Sequence, residues 1–480
     1  MAILERTNRN SYVVQNKYVG YRSMIKSISC IGFRSFATMQ TLELAVPTGE
    51  RGSGLTVLIG PNGGGKSTLV ECFQKISIKN GNVSFTSGKR NHQAGDSVSI
   101  TVRFDDAAAT LATVDGGGSE AVWSDRNRPR VYFLPARRVF NPYFGRNIWN
   151  RDTFIDNPEI TQFRASVSDN FSHRLFDISK NSRGFNSLFW RILGKELHWT
   201  IDQEDSGSYY VKVMKDGGVI HNSDGLGEGI ISLMFIVDAI YNSNPNEIIV
   251  IDEPELSLHP QLQLRLLDAL MDITTTTQVV ISTHSPTMVS MDSIVNGGVI
   301  ARIHEEKNAS VIDSIDDRCR SLFKSTLRNI NNPHIFGNDA RSCFFTEDGL
   351  IITEGQEDVV IYPQIARQIG IESHIPFFGF GAGGASRITD IAYILHCLGF
   401  KKVGAIYDGD KRDDYELFCR DYGRYGYKAW IIPADDVRDK PERAAMQGKL
   451  GLVDEKGSIK KEYSEDMTKL FRDINAFLHR

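Results

Sequence analysis

Val57-Leu-Ile-Gly-Pro-Asn-Gly-Gly-Gly-Lys-Ser-Thr-Leu-Val-Glu71 decides how the rest of the chain is read. The apolar run Leu55–Gly60 ends in a glycine-rich loop, and a helical pattern follows over Ser67–Ile76. The loop from Gly60 to Ser67 fits GxxxxGK[ST] in the strand–loop–helix setting that gives the pattern its meaning. Its glycines let backbone N–H groups close around phosphate oxygens, and the helix N-terminus adds its dipole. Lys66 supplies positive charge and the Ser67 hydroxyl can hold a magnesium ion. Asn62, Gly63, Gly65, Lys66, Ser67 and Thr68 are the candidate nucleotide contacts.

Working outward, a second apolar run, Ile248–Ile251, ends in Asp252-Glu253. Asp252 is a candidate for the magnesium shell and the nucleotide site, and Glu253 for orienting or deprotonating the attacking water. Ser223-Asp-Gly225 precedes that acidic pair and Ser282-Thr-His284-Ser-Pro286 follows it. The order of phosphate loop, SxG, acidic strand end and histidine resembles the ATP-binding-cassette (ABC) ATPases. That resemblance implies ATP sandwiched between two protomers, with Ser223 and Gly225 acting in trans and His284 in cis. Pro254-Glu-Leu-Ser-Leu-His-Pro260 matches the loop after the acidic pair in soluble members. Ile28-Ser-Cys-Ile-Gly-Phe-Arg-Ser-Phe36, with the phosphate loop, is similar to the SMC/RecF branch. The sequence departs from the pattern in having Asn222 rather than Leu before Ser223, with Leu-Gly-Glu-Gly after Gly225. No Q-loop glutamine is assigned; Gln93 is a candidate, and Arg137-Arg138 is expected near that edge.

Beyond residue 350 a second chemistry begins. Leu350-Ile-Ile-Thr-Glu354-Gly-Gln-Glu357-Asp358 puts carboxylates at a strand end and in the next helix's first turn, and Val403-Gly-Ala-Ile-Tyr-Asp408-Gly-Asp410 ends another strand in DxD. In a parallel α/β sheet such ends line one crevice, so Glu354, Asp358, Asp408 and Asp410 are expected to converge. Clustered carboxylates repel unless cations neutralise them, and all-oxygen ligation suits magnesium or manganese. These residues resemble the TOPRIM domain, which implies Glu354 as a metal ligand or acid/base and the DxD pair as metal ligands. Joined to an ABC-type ATPase, TOPRIM resembles the OLD (overcoming lysogenisation defect) family of nucleases. The family's second acid matches Asp358, with Glu357 the adjacent alternative, and its late acid and lysine give Asp436 and Lys440 as candidates. Arg412 stands where some members carry a further acid.

The chain has 480 residues, enough for two to four domains, with 55 Lys plus Arg against 59 Asp plus Glu, a net charge of −4. No global basic surplus marks it as a simple nucleic-acid binder, and 41% hydrophobic residues exclude a disordered chain. Its six cysteines form no CxxC pair; they read as reduced thiols of a cytoplasmic protein and argue against a zinc site. No apolar run reaches the roughly 20 residues of a membrane span. The expected architecture is α/β: a polar arm (1–23), an ABC-type ATPase domain (24–343, with an insert at about 140–222) and a Rossmann-like TOPRIM domain (344–480). Residues 300–345 read as a connector. From Leu350 onward strands and helices alternate, among them a strand at Ile375–Phe380.

The expected function is an ATP-regulated, divalent-metal-dependent DNA endonuclease of antiviral defence, using ATP and Mg2+, with Mn2+ or Ca2+ as substitutes at the second site. The alternative is an ATP-driven DNA sensor or clamp whose TOPRIM domain binds without cutting. Expected partners are DNA, a second copy of the chain through the ATPase domain, and a regulatory protein or retron-type RNA–DNA; no membrane is involved.

Overall fold

The computed structural model describes residues 24–78, 82–114, 118–125, 128–138, 145–156, 170–214, 220–222, 226–244, 247–327, 335–347, 349–372, 375–442 and 448–479. Its central sheet runs in the order Ala309–Ser314, Val299–Glu306, Leu55–Ile59, Gln278–Ser282, Ile248–Asp252, Val131–Leu134. The last five strands are parallel and the first is antiparallel to its neighbour. Every residue of the three middle strands is buried, which is why their sequences read as continuous apolar runs rather than as alternation. Leu58, Val250 and Val280 face the helix Lys66–Ser77 and an antiparallel sheet built on Ser27–Ile31 and Ser99–Arg103. Val57, Ile59, Ile249 and Ile251 face the helices Glu228–Tyr241 and Pro260–Ile273. Each fully buried Leu, Ile or Val contributes about 1.5–3 kcal/mol relative to exposure.

Two expectations change here. The stretch read as a connector begins with a hairpin, Val299–Glu306 and Ala309–Ser314, that completes the central sheet. Its polar residues Arg302, His304 and Asp313 hid it, because they face the C-terminal part of the chain instead of an apolar layer. The segment read as an insert supplies core. Phe171, Phe185 and Phe189 are fully buried, and the Phe171 ring stacks on Phe235 with centroids 3.7 Å apart. The short sheet His198–Gln203, Tyr209–Met214, Ile220–Asn222 packs beside them.

The C-terminal part holds a parallel sheet of Leu350–Ile352, Val403–Tyr407 and Lys428–Ile431, and a two-stranded ribbon of Asp436–Arg438 with Gly451–Val453. Helices Gln356–Gln368, Ala385–Cys397, Arg412–Tyr422 and Ser464–Leu478 alternate with these strands. The strand expected at Ile375–Phe380 shrinks to one bridge, Phe377 to Ile351, because a glycine loop takes over at Gly379. One apolar core runs from the central sheet through Phe323, Phe336 and Phe344 into Ile352, Phe378 and Ala392. Among the described residues no helix is long and apolar enough to cross a membrane.

Candidate functional site: a phosphate loop and a carboxylate cleft

Register brings the first site together. Asp252 lies opposite Ser282, and Ser282 opposite Leu58, so the phosphate loop, the acidic pair and the His284 loop leave one edge of the sheet. Gly65 caps the helix Lys66–Ser77 with φ 110°, and neither a side-chain cap nor an acidic first turn occupies that helix start. The N–H groups and the dipole end of the helix suit an anion. A Cβ on Gly65 would come within 2.2 Å of Ser310 Oγ, so the loop is pressed against the edge hairpin. Lys66 is buried and its ammonium donates to the Gly60 and Pro61 carbonyls at 2.6 and 2.9 Å. Asn62 and Gly63 are exposed at the loop tip, and Ser67 and Thr68 open the helix.

Asp252 is buried at its strand end, while Glu253 adopts φ 47° and its N–H donates to the Ser282 carbonyl at 2.7 Å. Arg138 braces this turn, a role the sequence did not reveal. Its guanidinium donates to the Asp252 carbonyl at 2.7 Å, the Glu253 carbonyl at 2.9 Å and Ser232 Oγ at 2.7 Å. Burial lowers Arg138 to about 10 from its ordinary value. His284 is exposed, and its backbone N–H donates to Glu255 Oε1 at 2.6 Å; burial raises the Glu255 carboxyl above its usual range. Gln93 sits exposed in the short turn His92–Ala94. Ser223 and Gly225 lie outside the described residues.

The second site is a cleft of roughly 510 Å³ lined by Glu354, Asp358, Asp408, Asp436, Lys440 and Lys449 among others. Asp408 N–H donates to Glu354 Oε1 at 2.9 Å, and Gly355 N–H donates to Asp358 Oδ2 at 2.9 Å. The glycine loop folds over Glu354, whose carbonyl accepts from the Gly383 and Gly384 N–H groups at 2.8 Å. Gly381, at φ 87°, passes so close that a Cβ would lie 2.7 Å from Gly355 Cα. Glu357 also lines the cleft, where its carboxylate is taken up by Arg438, Nε to Oε2 at 2.8 Å. Asp436 is buried, bonded to Lys440 and 3.5 Å from Lys449. Asp410, more exposed, pairs with Lys449 at 2.7 Å. Lys449 carried no sequence signal, being separated from Asp410 by 39 positions.

Burial is the main cause of the site's unusual acidity, with neighbouring carboxylates adding to it. Asp408 is raised to about 8, with Glu354, Asp358 and Asp436 around it. Glu354 is raised to about 7, with Asp358 and Asp410 nearby, and Asp358 to about 6, with Asp436 nearby. Asp408 Oδ1 is buried with no hydrogen-bond partner among the described residues. An orphaned carboxylate oxygen in an all-oxygen cluster fits a hard divalent cation.

Two family models match the chain, one described as an AAA domain over residues 27–183 and one as "AAA domain, putative AbiEii toxin, Type IV TA system" over residues 119–290. The Old nuclease of Escherichia phage P2 is 26% identical over 263 residues, covering 50% of this chain and 44% of that protein. The two AAA-domain matches together span the phosphate loop and the acidic pair described above. The Septu protein PtuA of Bacillus mycoides (strain KBAB4) is 22% identical over 314 residues, 62% of this chain and 43% of that protein. The chain thus aligns with less than half the length of these curated relatives. Among solved structures, an SMC head bound to the C-winged helix domain of ScpA aligns over 61% of this chain and 98% of its own, with TM-score 0.42 and 14% identity.

Proposed function

We propose that the chain is an ATP-regulated, divalent-metal-dependent DNA endonuclease of anti-phage defence, with an ABC-type ATPase unit over 24–343 and a TOPRIM-like unit over 344–480. The convergence of Glu354, Asp358 and Asp408 on one cleft, with Asp408 Oδ1 unsatisfied among the described residues, carries the reading. The similarity to the Old nuclease and to Septu PtuA supports an ATPase and nuclease lineage of anti-phage defence. Glu354, Asp358, Asp408 and Asp436, with Asp410 at the rim, would hold the cation, which when bound supplies an activated water and a Lewis acid for phosphodiester hydrolysis. Glu354 titrates near neutrality and can take or return a proton. Lys440, half exposed at the mouth, would meet a backbone phosphate.

At the other site Lys66 would exchange its loop carbonyls for ATP phosphates, Ser67 and Asp252 would hold Mg2+, Glu253 would orient water and His284 would sense the γ-phosphate. Ser223 and Gly225 of a second copy would close the site. A second reading, a DNA sensor or clamp that does not cut, draws on Lys440 and Lys449, which already neutralise part of the acidic cluster.

The test is supercoiled plasmid with Mg2+ or Mn2+, with and without ATP, beside Asp408→Ala and Lys66→Ala. Nicking by wild type and its loss in Asp408→Ala is expected. Wild type that binds plasmid but never cuts it, with any metal or nucleotide, would sink the nuclease reading in favour of the clamp.

A further inference from the structure

The six cysteines are scattered in sequence, yet the fold brings two of them to one point away from both sites above. Asp316 and Cys319 open the helix Asp317–Leu327, and Cys397 ends the helix Ala385–Cys397. One carboxylate oxygen of Asp316 and the two sulfurs all lie within 4.8 Å of one another. Among the described residues no other His, Cys, Asp and Glu group closes so tightly around a common point.

We propose that Asp316, Cys319 and Cys397 form a binding site for a thiophilic divalent cation of the zinc class, clasping these two helices together. Two sulfurs and a carboxylate are a donor set zinc accepts, and its fourth position is left to water. Bonds of about 2.3 Å to sulfur and about 2.0–2.2 Å to oxygen set tetrahedral donor atoms roughly 3.5 Å apart, within reach of small side-chain rotations. The surroundings resemble a prepared shell. Asp316 Oδ1 accepts from the Cys319 N–H and Oδ2 from the Tyr393 hydroxyl, both at 2.7 Å, which fixes the carboxylate. Arg318 lies over the Tyr393 ring, 4.0 Å from its centroid, and offsets the surplus negative charge of two thiolates and a carboxylate. Cys319 is fully buried, whereas Asp316 is exposed and Cys397 partly so, giving a route from solvent. On binding, the two thiol protons leave to solvent as the sulfur–metal bonds form. The neighbouring His396 is not offered as a ligand, because its ring packs on Tyr425 at 4.0 Å.

The test is cobalt titration of the reduced, chelator-stripped full chain, read by thiolate-to-cobalt charge-transfer absorption, which the carboxylate cleft cannot produce. Wild type is expected to develop the band at one equivalent per chain and Zn2+ to bleach it. Cys397→Ser and Cys319→Ser should lose it, and Tyr393→Phe should weaken cobalt binding about 10- to 100-fold. Cys72→Ala is the control for the other close sulfur pair, Cys30 and Cys72 at 3.5 Å, and should keep the band. The proposal fails if folded, reduced wild type gives no band. It also fails if the band survives Cys397→Ser and vanishes in Cys72→Ala, or if the pair forms a disulfide under mild oxidant without ever taking cobalt.

Discussion

The phosphate loop and the carboxylate cleft are opposite solutions to placing charge inside a protein. The loop is built from consecutive residues, presents N–H groups and one lysine, and satisfies that lysine with its own carbonyls at 2.6 and 2.9 Å. Its own backbone balances its charge, and an anion would add to it. The cleft gathers acids from three separate stretches and leaves Asp408 Oδ1 without a partner among the described residues. Its crowded carboxylates hold their protons above the ordinary range, and a cation would relieve them. A binding loop can thus be written into one short stretch, whereas the acidic cleft exists only once the sheet has formed.

The largest expected effect separates the two sites outright. Asp408→Asn should reduce DNA cleavage by at least about 10²-fold while leaving ATP turnover within about two-fold. Matched losses in plasmid-nicking and phosphate-release assays would mean that the two regions are one functional unit. Next comes Arg138→Ala, which strips the brace from the Asp252-Glu253 turn. It should cost about 3 kcal/mol in chemical denaturation, through carbonyls left unpaired in the interior, and slow ATP turnover more than it weakens ATP binding. A loss confined to stability would reduce Arg138 to a packing residue.

A third effect depends on pH. Unfolded, the cleft acids titrate near about pH 4; folded, Asp408, Glu354 and Asp358 stand at about 8, 7 and 6. The folded chain therefore retains protons that the unfolded chain releases. This contribution to stability is full below the unfolded values and is lost as pH rises through the folded ones. Metal-free melting temperatures should fall across that window, and Mg2+ should restore more of the loss at about pH 8 than at about pH 5. Calorimetry in buffers of different ionisation enthalpy should show proton release on Mg2+ binding at about pH 7. A pH-independent metal response would remove the cleft from the account. The smallest effect is expected from Lys449→Ala. Removing one of the two lysines on each of Asp410 and Asp436 should tighten Mg2+ binding a few-fold, measured by the same titration, with no change at the phosphate loop.

The difference between the regions also explains what the sequence could disclose. Gly60 to Ser67 and Ile248 to Glu253 are legible because each is a local strand end whose residue order is its chemistry. The pairing of Glu354 with Asp408 was within reach, because both end strands of a parallel sheet and the sheet's register does the rest. Arg138 was expected near its edge, but neither its bracing role nor that of Lys449 was legible, since their partners are backbone carbonyls and distant acids that leave no periodic trace. The hairpin Val299–Ser314 was missed for a related reason. Its polar residues serve a second layer of protein, and polarity in a strand reads as solvent. The glycine loop after Phe378 defeated the expected strand because Gly379 and Gly381 take positive φ where extended backbone was expected.

The hairpin has a consequence for how far the N- and C-terminal parts of the chain can be separated. Its Ser310 hydroxyl holds the Gly64 carbonyl on one side, and Arg302 donates to the Thr346, Glu347 and Leu398 carbonyls on the other. With Phe336, Phe344 and Phe378 buried across the same seam, the C-terminal part is not a transplantable cartridge. A fragment released by proteolysis would carry a raw hydrophobic wound in place of its N-terminal neighbour, and would be prone to aggregate. Opening the seam would leave Phe336, Phe344 and Phe378 uncovered, so the two parts should unfold together rather than one after the other.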